Sequence, residues 1–305
     1  MSGLAVAPIA LASGVTLSVQ QSGPADGEAI LLLHGFPESH RTWRNIAPDL
    51  ARDFRVVAPD QRGFAGSDKP PDVAAYKTDR IVEDLIALAD SLELTRFTLV
   101  GHDWGGAVAW LAALRHPDRI ARLVIVNAPH PLVFQKSLIE DPAQRAGSQY
   151  IRAFRSPLME RGIEAMGFDL FFEKTFGAHA DLDAIPDEER RAYLDQWGQP
   201  RALTAMLNWY RASEIIVPQI GEDAPLPAWT RAPFPRIAMP TLVIWGLKDK
   251  ALLPAQLEGL DDLVDNLRIV TIADAGHFVP WEKPEPVIAA IRTFIAETPI
   301  PPPAG

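Results

Sequence analysis

Short apolar runs rich in β-branched residues recur along the chain, and the stretches between them carry apolar residues three and four positions apart. The clearest runs are Ala29 to Leu33, Phe54 to Ala58, Phe97 to Val100, Leu123 to Val126, Thr241 to Trp245 and Leu267 to Ile272. Runs of this length and continuity predict strands of a mainly parallel sheet covered on both faces. Ile81, Leu85, Leu88 and Leu92 mark one face of an intervening helix, the crossover that parallel strands require. The stretch around Ile9 to Val19 predicts an antiparallel hairpin added at the sheet edge. The fold class is therefore α/β, a mostly parallel central sheet flanked by helices.

This alternation stops near Pro131. From there to Trp229 the sequence is helical in pattern, with prolines clustered at both borders (Pro129, Pro131, then Pro225, Pro227, Pro233, Pro235). The expected organisation is a core domain of residues 1–130 and 231–305 and a helical cap of residues 131–230 inserted between two strands. A last helix is expected from Pro286 to Glu297, ended by Pro299 and the prolines 301–303, which cannot continue it. The tail after it is expected to be disordered.

Composition narrows the chemistry. The chain has 305 residues, 48% of them hydrophobic, enough for one large catalytic unit. Its formal charge of -10 disfavours nucleic acid or an anionic membrane as partner, because both need clustered Lys and Arg. With no cysteine, disulfides, thiolate metal sites and cysteine nucleophiles are excluded. Met1 to Ala12 is apolar, but the first basic residue is Arg41 and Pro8 interrupts the run. It is read as a strand and not a signal peptide. No apolar run approaches the roughly 18 to 20 residues that span a bilayer, and a cytoplasmic location is the expectation.

The sharpest motif is Gly101-His102-Asp103-Trp104-Gly105-Gly106, between the Phe97 to Val100 strand and a helical run. Small residues two before and two after the central position permit a cramped strand-to-helix turn that lifts the central side chain above the sheet. Here that side chain is Asp103, a carboxylate ionised without help, suited to attack an sp³ carbon and form an alkyl ester. In the chain order of α/β-hydrolases, His277 after the final strand is the expected base and Asp249 the acid that orients it. Asp274 is a rival acid, more consistent with a turn former on the histidine's own loop. Asn127 occupies another place where the acid can sit, but an amide cannot supply the charge. His34-Gly35-Phe36-Pro37-Glu38 follows a strand, and the backbone N–H groups of Phe36 and Trp104 are the expected oxyanion hole. The His34 side chain is expected to be structural.

Together, HGFPE, GHDWGG, the late Asp after WGLKD, and AGHF resemble the α/β-hydrolase-fold epoxide hydrolases over nearly the whole chain. That resemblance implies conversion of an epoxide and water to a vicinal diol through an ester on Asp103. It also implies two cap tyrosines at the epoxide oxygen, which match Tyr150 in SQYI and Tyr210 in LNWYR. Tyr76 and Tyr193 match no such position. A phenol of pKa near 10 can donate to a developing alkoxide while remaining neutral at pH 7. The implied substrate is a small apolar epoxide. Phe168, Phe171, Phe172, Trp197 and Trp209 offer cap surface for it, with Phe168, Phe172 and Trp209 expected at the substrate. No cofactor and no metal is called for, since the seven histidines form no ligand pair. Whether the chain is a monomer or a homo-oligomer stays open.

Two rival readings share these residues. A haloalkane dehalogenase uses the same Asp and a following Trp, but many add an Asn where Phe36 stands. A non-catalytic ligand-binding protein could reuse the fold. The full set of nucleophile, base, acid, oxyanion segment and tyrosine pair weighs against it.

Overall fold

A computed structural model describes residues 5–300. Eight strands form one sheet: β1 (Ala5–Ala10), β2 (Thr16–Ser22), β3 (Ala29–Leu33), β4 (Arg55–Pro59), β5 (Phe97–His102), β6 (Ile120–Val126), β7 (Thr241–Gly246) and β8 (Leu267–Ile272). Their spatial order is β1-β2-β4-β3-β5-β6-β7-β8. β1 pairs with β2, and β2 with β4, in the antiparallel sense, and the remaining pairs are parallel. The edge hairpin is longer than its hydrophobic pattern suggested, running from Ala5 to Ser22, because the turn at Ser13 and Gly14 lets both arms pair fully.

Between the strands lie α1 (Ala47–Leu50), α2 (Thr78–Ser91) and α3 (Trp104–Arg115). After β6 come α4 (Pro131–Glu140), α5 (Pro142–Gly147), α6 (Gln149–Arg155), α7 (Met159–Met166), α8 (Phe168–Thr175), α9 (Asp187–Trp197) and α10 (Ala202–Ala212). The chain returns to the sheet at β7 and closes with α11 (Val279–Glu282) and α12 (Pro284–Glu297). The last helix starts two residues before Pro286, because Pro284 sits at its first position, where a missing N–H costs nothing. The first four residues and the proline tail at 301–303 fall outside the described residues. Among the described residues, no helix is long and apolar enough to cross a membrane.

All seven residues of β6 and all six of β5 are buried. This is the physical reason their sequences read as continuous apolar runs: apolar packing covers both faces of the sheet, one cluster including Leu31, Leu99 and Trp110, the other Ile30, Val100 and Ile291. Register then decides the site. Leu33 pairs with Gly101, and His102 pairs with Val126, so the loops leaving β3, β5 and β6 emerge side by side. The helical segment between β6 and β7 is fastened over them by polar anchors. Trp197 Nε1 donates to Pro37 O at 2.8 Å, Trp209 Nε1 to Arg62 O at 2.9 Å, and Arg41 pairs with buried Glu189.

Candidate active site

The turn from β5 into α3 puts Asp103 at φ +50°, a strained conformation for a residue with a side chain. The tight turn survives because its neighbours are small. A Cβ on Gly105 would strike the backbone of Leu33 and His34, and one on Gly35 would strike the Asp103 carboxylate. Asp103 therefore projects from the N-terminus of α3 into the space beside Gly35, where the unpaired amides and dipole of the helix favour negative charge. The Phe36 N–H donates to Asp103 Oδ1 at 2.8 Å. Trp104, the first residue of α3, has no intrahelical acceptor for its own N–H.

On the other side of the carboxylate, His277 Nε2 stands 3.5 Å from Asp103 Oδ2. Its Nδ1 meets Asp249 Oδ2 at 2.7 Å. Asp249 is itself held by three further groups: Oδ1 accepts the N–H groups of Ala251 and Leu252, each at 2.9 Å, and Oδ2 accepts from Asn127 Nδ2 at 2.8 Å, while Asn127 Oδ1 accepts the Gly246 N–H at 2.8 Å and so keeps its amide correctly turned. Asp274 is exposed and bound to Lys283, remote from this cluster. His34 is wholly buried and accepts the Gln61 N–H at 3.0 Å, in keeping with a structural part.

Burial raises the pKa of an acid, yet both carboxylates lie below their usual range. For Asp103 the hydrogen bond and charge of His277 outweigh desolvation, and for Asp249 the charge of His277 does the same. Burial pulls His277 down, but Asp249 and Asp103 together hold it well above the usual histidine value. In the resting site both carboxylates thus favour the protonated form of the imidazole. Once Asp103 becomes an ester, one of those charges vanishes, and the His277 pKa falls toward that of a competent base.

Tyr150 and Tyr210 come down from α6 and α10, their rings 6.1 Å apart and nearly perpendicular. Burial, and then nearby carboxylate or phenol groups, push both phenols well above their usual pKa, so they remain proton donors. Tyr210 is packed by Phe36 at 4.9 Å, Phe154 at 4.9 Å and Trp104 at 5.3 Å. Both tyrosines and Asp103 border a cavity of about 170 Å³, whose apolar wall includes Phe154, Met159, Met166 and Phe171.

Three aromatic residues expected at the substrate lie elsewhere. Phe172 packs against Phe176 and Trp197 within the helical segment between β6 and β7, and Phe168 against Trp197. Trp209 turns toward Phe64 and donates its N–H to Arg62 O. One step around α8 exchanges Phe172 for Phe171 at the cavity. Aromatic composition cannot choose between them, because the helix phase depends on neighbours that are distant in sequence.

The sequence held further signals that only geometry makes legible. Asn127, set aside as an acid, is the clamp on Asp249. Glu38 and His102, both inside motifs already singled out, form a buried chain beneath the triad: Glu38 Oε2 meets His102 Nδ1 at 2.9 Å, and His102 Nε2 meets His277 O at 2.9 Å. Tyr76 and Tyr193 are buried away from the cavity.

Comparison with known proteins agrees with this architecture. Residues 28–284 match the alpha/beta hydrolase fold family. The AB hydrolase superfamily protein YfhM of Bacillus subtilis (strain 168) is 34% identical over 93% of this chain and 95% of its own length. Epoxide hydrolase 3 of Xenopus tropicalis is 33% identical, covering 93% of this chain and 76% of that protein. A solved structure described under novel epoxide hydrolases of the alpha/beta hydrolases superfamily in metagenomes from hot environments superposes with a TM-score of 0.89 at 46% identity, covering 96% of this chain and 98% of that one. By its family match, its strand order and its strained Asp103 turn, the chain belongs to the α/β-hydrolase fold family, and its relatives by sequence and by structure include named epoxide hydrolases.

Proposed function

We propose that this protein is an epoxide hydrolase that opens an epoxide to a vicinal diol through an ester on Asp103. The observation that carries the reading is a carboxylate nucleophile facing two un-ionised phenols across one cavity. Asp103 attacks a ring carbon while Tyr150 and Tyr210 hydrogen-bond the oxygen, and one of them protonates it as the C–O bond breaks. Water then enters beside His277. The imidazole removes its proton, the hydroxide oxygen attacks the ester carbonyl carbon, and the tetrahedral oxyanion rests on the Phe36 and Trp104 amides. Asp249 holds the imidazolium so formed; as the tetrahedral intermediate collapses, the imidazolium gives its proton to the departing alkoxide, the regenerated Asp103 carboxyl gives its proton back to the tyrosinate, and the diol leaves.

In this reading residues 131–230 are the cap that carries the tyrosines, and residues 1–130 with 231–305 are the core that carries the triad. The chemistry calls for water and a small apolar epoxide, without a cofactor or metal, and for no second chain. Named epoxide hydrolases among the relatives support the substrate class. A haloalkane dehalogenase would want a second side-chain donor beside the Trp104 indole, and the apolar ring of Phe36 stands there instead.

The deciding assay follows diol formation from aryl and aliphatic epoxides beside halide release from matched haloalkanes. Diol formed by the native chain and lost in Asp103→Ala supports the reading. Halide release without diol would replace it with a dehalogenase, and silence in both assays would leave a ligand-binding protein.

A further inference from the structure

His277 is held by its backbone as well as by its ring. Asp249 fixes the Nδ1 edge, and the main chain is fastened separately on both sides. The His277 N–H donates to His179 O at 3.0 Å, and His277 O accepts from His102 Nε2 at 2.9 Å. A further fastening comes from a residue with no part in the reaction described above. Glu282, the last residue of α11, turns back along the chain, and both of its carboxyl oxygens accept from the N–H of Gly276, the residue before the base, at 3.0 Å.

Space at this point is as closely set as the hydrogen bonds. A Cβ on Gly276 would lie 2.2 Å from His179 O and 3.2 Å from Glu282 Oε1, so residue 276 is wedged between the loop after α8 and the Glu282 carboxyl. That carboxyl is partly buried. Among the described residues no lysine or arginine pairs with it, and its neighbour Lys283 is bound to exposed Asp274 instead. Burial raises the Glu282 pKa above the usual value, against the pull of the Gly276 and Asp181 amides and of the His277 charge, while the Asp249 charge adds to the rise. A carboxyl kept partly out of water without a cation is costly unless hydrogen-bond donors satisfy it. Here the Gly276 donor leads directly to the base.

We infer that Glu282 is a positioning residue for the reaction: by holding the Gly276 N–H it keeps the His277 ring where it can activate water against the Asp103 ester. This rests on the epoxide hydrolase reading. His277 Nε2 stands 3.5 Å from Asp103 Oδ2, and a displacement of about 1 Å at a reacting group costs roughly 10²-fold. The two steps feel such a displacement unequally. Ester formation draws its proton from Tyr150 or Tyr210 and needs none taken by His277, whereas ester hydrolysis begins when that ring removes a proton from water. Loss of Glu282 therefore falls on the second step. A carboxyl that served only to stabilise the turn into α11 would change the melting temperature and leave the two rate constants in their native ratio.

The test follows a single turnover of styrene oxide, a small aryl epoxide, by rapid quench, with the ester on Asp103 counted by intact mass. Glu282→Met fills the same space without an acceptor. It should slow decay of the ester by about 10 to 100-fold, as loss of an outer orienting partner commonly does, and leave its formation unchanged. Glu282→Gln keeps one acceptor oxygen for the Gly276 N–H and should restore most of the decay rate. Lys283→Ala, which removes only the exposed pair with Asp274 on the same turn, should leave both steps native. Circular dichroism melts establish that each variant is folded at the assay temperature. Should Glu282→Met unfold there, Glu282→Asp, whose carboxyl is one methylene short of Gly276, takes its place with the same expectation. Native decay in Glu282→Met, equal slowing of both steps, a Glu282→Gln as slow as Glu282→Met, or an equal loss in Lys283→Ala overturns the assignment. If the native chain forms and hydrolyses the ester while any of these is seen, only this inference falls; if the native chain forms no ester, the functional reading falls with it.

Discussion

The floor and the ceiling of the cavity are built by different physics. The floor is polar and closely tied: Asp103, His277 and Asp249 are fixed by a strained turn, two close contacts to one imidazole, and amides from three loops of the sheet. The ceiling is aromatic: Tyr150 and Tyr210 are positioned by Phe36, Phe154 and Trp104 through ring contacts of 4.9 to 5.8 Å. Hydrogen bonds fix direction, whereas ring packing fixes volume and tolerates substitution. The lesson is a division of labour. The floor sets which bond is made, and the ceiling sets which molecule arrives and how its oxygen is received.

Mutations should separate the two regions, with the greatest losses from the floor. Asp103→Ala should lower diol formation by about 10⁴-fold or more, because no other group can form the ester, and steady-state assay with folding checked by circular dichroism would measure it. His277→Gln should slow turnover by about 10² to 10⁴-fold, with a different signature. One equivalent of epoxide should be consumed quickly and remain on the protein, visible by intact mass as an adduct on Asp103. An inactive His277→Gln that forms no adduct would break the assignment of His277 to the second step.

The ceiling should yield smaller effects. Tyr150→Phe and Tyr210→Phe should each cost about tenfold, and the double variant about 10² to 10³-fold, since removing one oxyanion donor costs amounts of that order. The loss should appear in formation of the adduct by rapid quench, leaving its hydrolysis nearly unchanged. Asn127→Ala should cost about 10 to 100-fold, as an outer partner that orients a functional group commonly does. Because Asn127 serves Asp249, that loss belongs to hydrolysis of the adduct. If it fell on ester formation instead, the boundary between floor and ceiling would be drawn wrongly.

The gentlest test is pH. Asp103 and Asp249 have folded pKa values below their usual range. The stability they contribute is complete above the unfolded carboxylate pKa of about 3.9 and is lost as pH falls through the lower folded values. His277 has the opposite sign: its folded pKa is raised, so its contribution is full below about 6.5 and is lost as pH rises through that raised value. Denaturant titration should therefore show the native chain losing an acid-side increment that Asp249→Asn lacks. Both phenols are raised by burial, so kcat/KM should not decline through tyrosine ionisation as pH approaches the usual phenol value of about 10.

How far the sequence could be read depends on how local each cause is. Strand positions were legible because burial on both faces leaves a continuous apolar run, and the Asp103 turn because its steric demand falls on residues within three positions. The Asp274 alternative needed the fold to dismiss it: its rival Asp249 is 28 residues from His277 along the chain yet 2.7 Å away in space. Phe171 and Phe172 are chemically the same, and only the phase of α8 against Trp197 places one at the cavity and buries the other. Asn127 could be recognised as a clamp only once β6 and β7 were seen to pair and bring its amide to Asp249. The sequence by itself determined the sheet, the turn that exposes a carboxylate and the class of chemistry that carboxylate can perform, because each follows from residues adjacent along the chain. The tertiary structure alone decided which aromatics border the cavity and how the triad shares its charge, because those depend on distances between segments that local pattern does not encode.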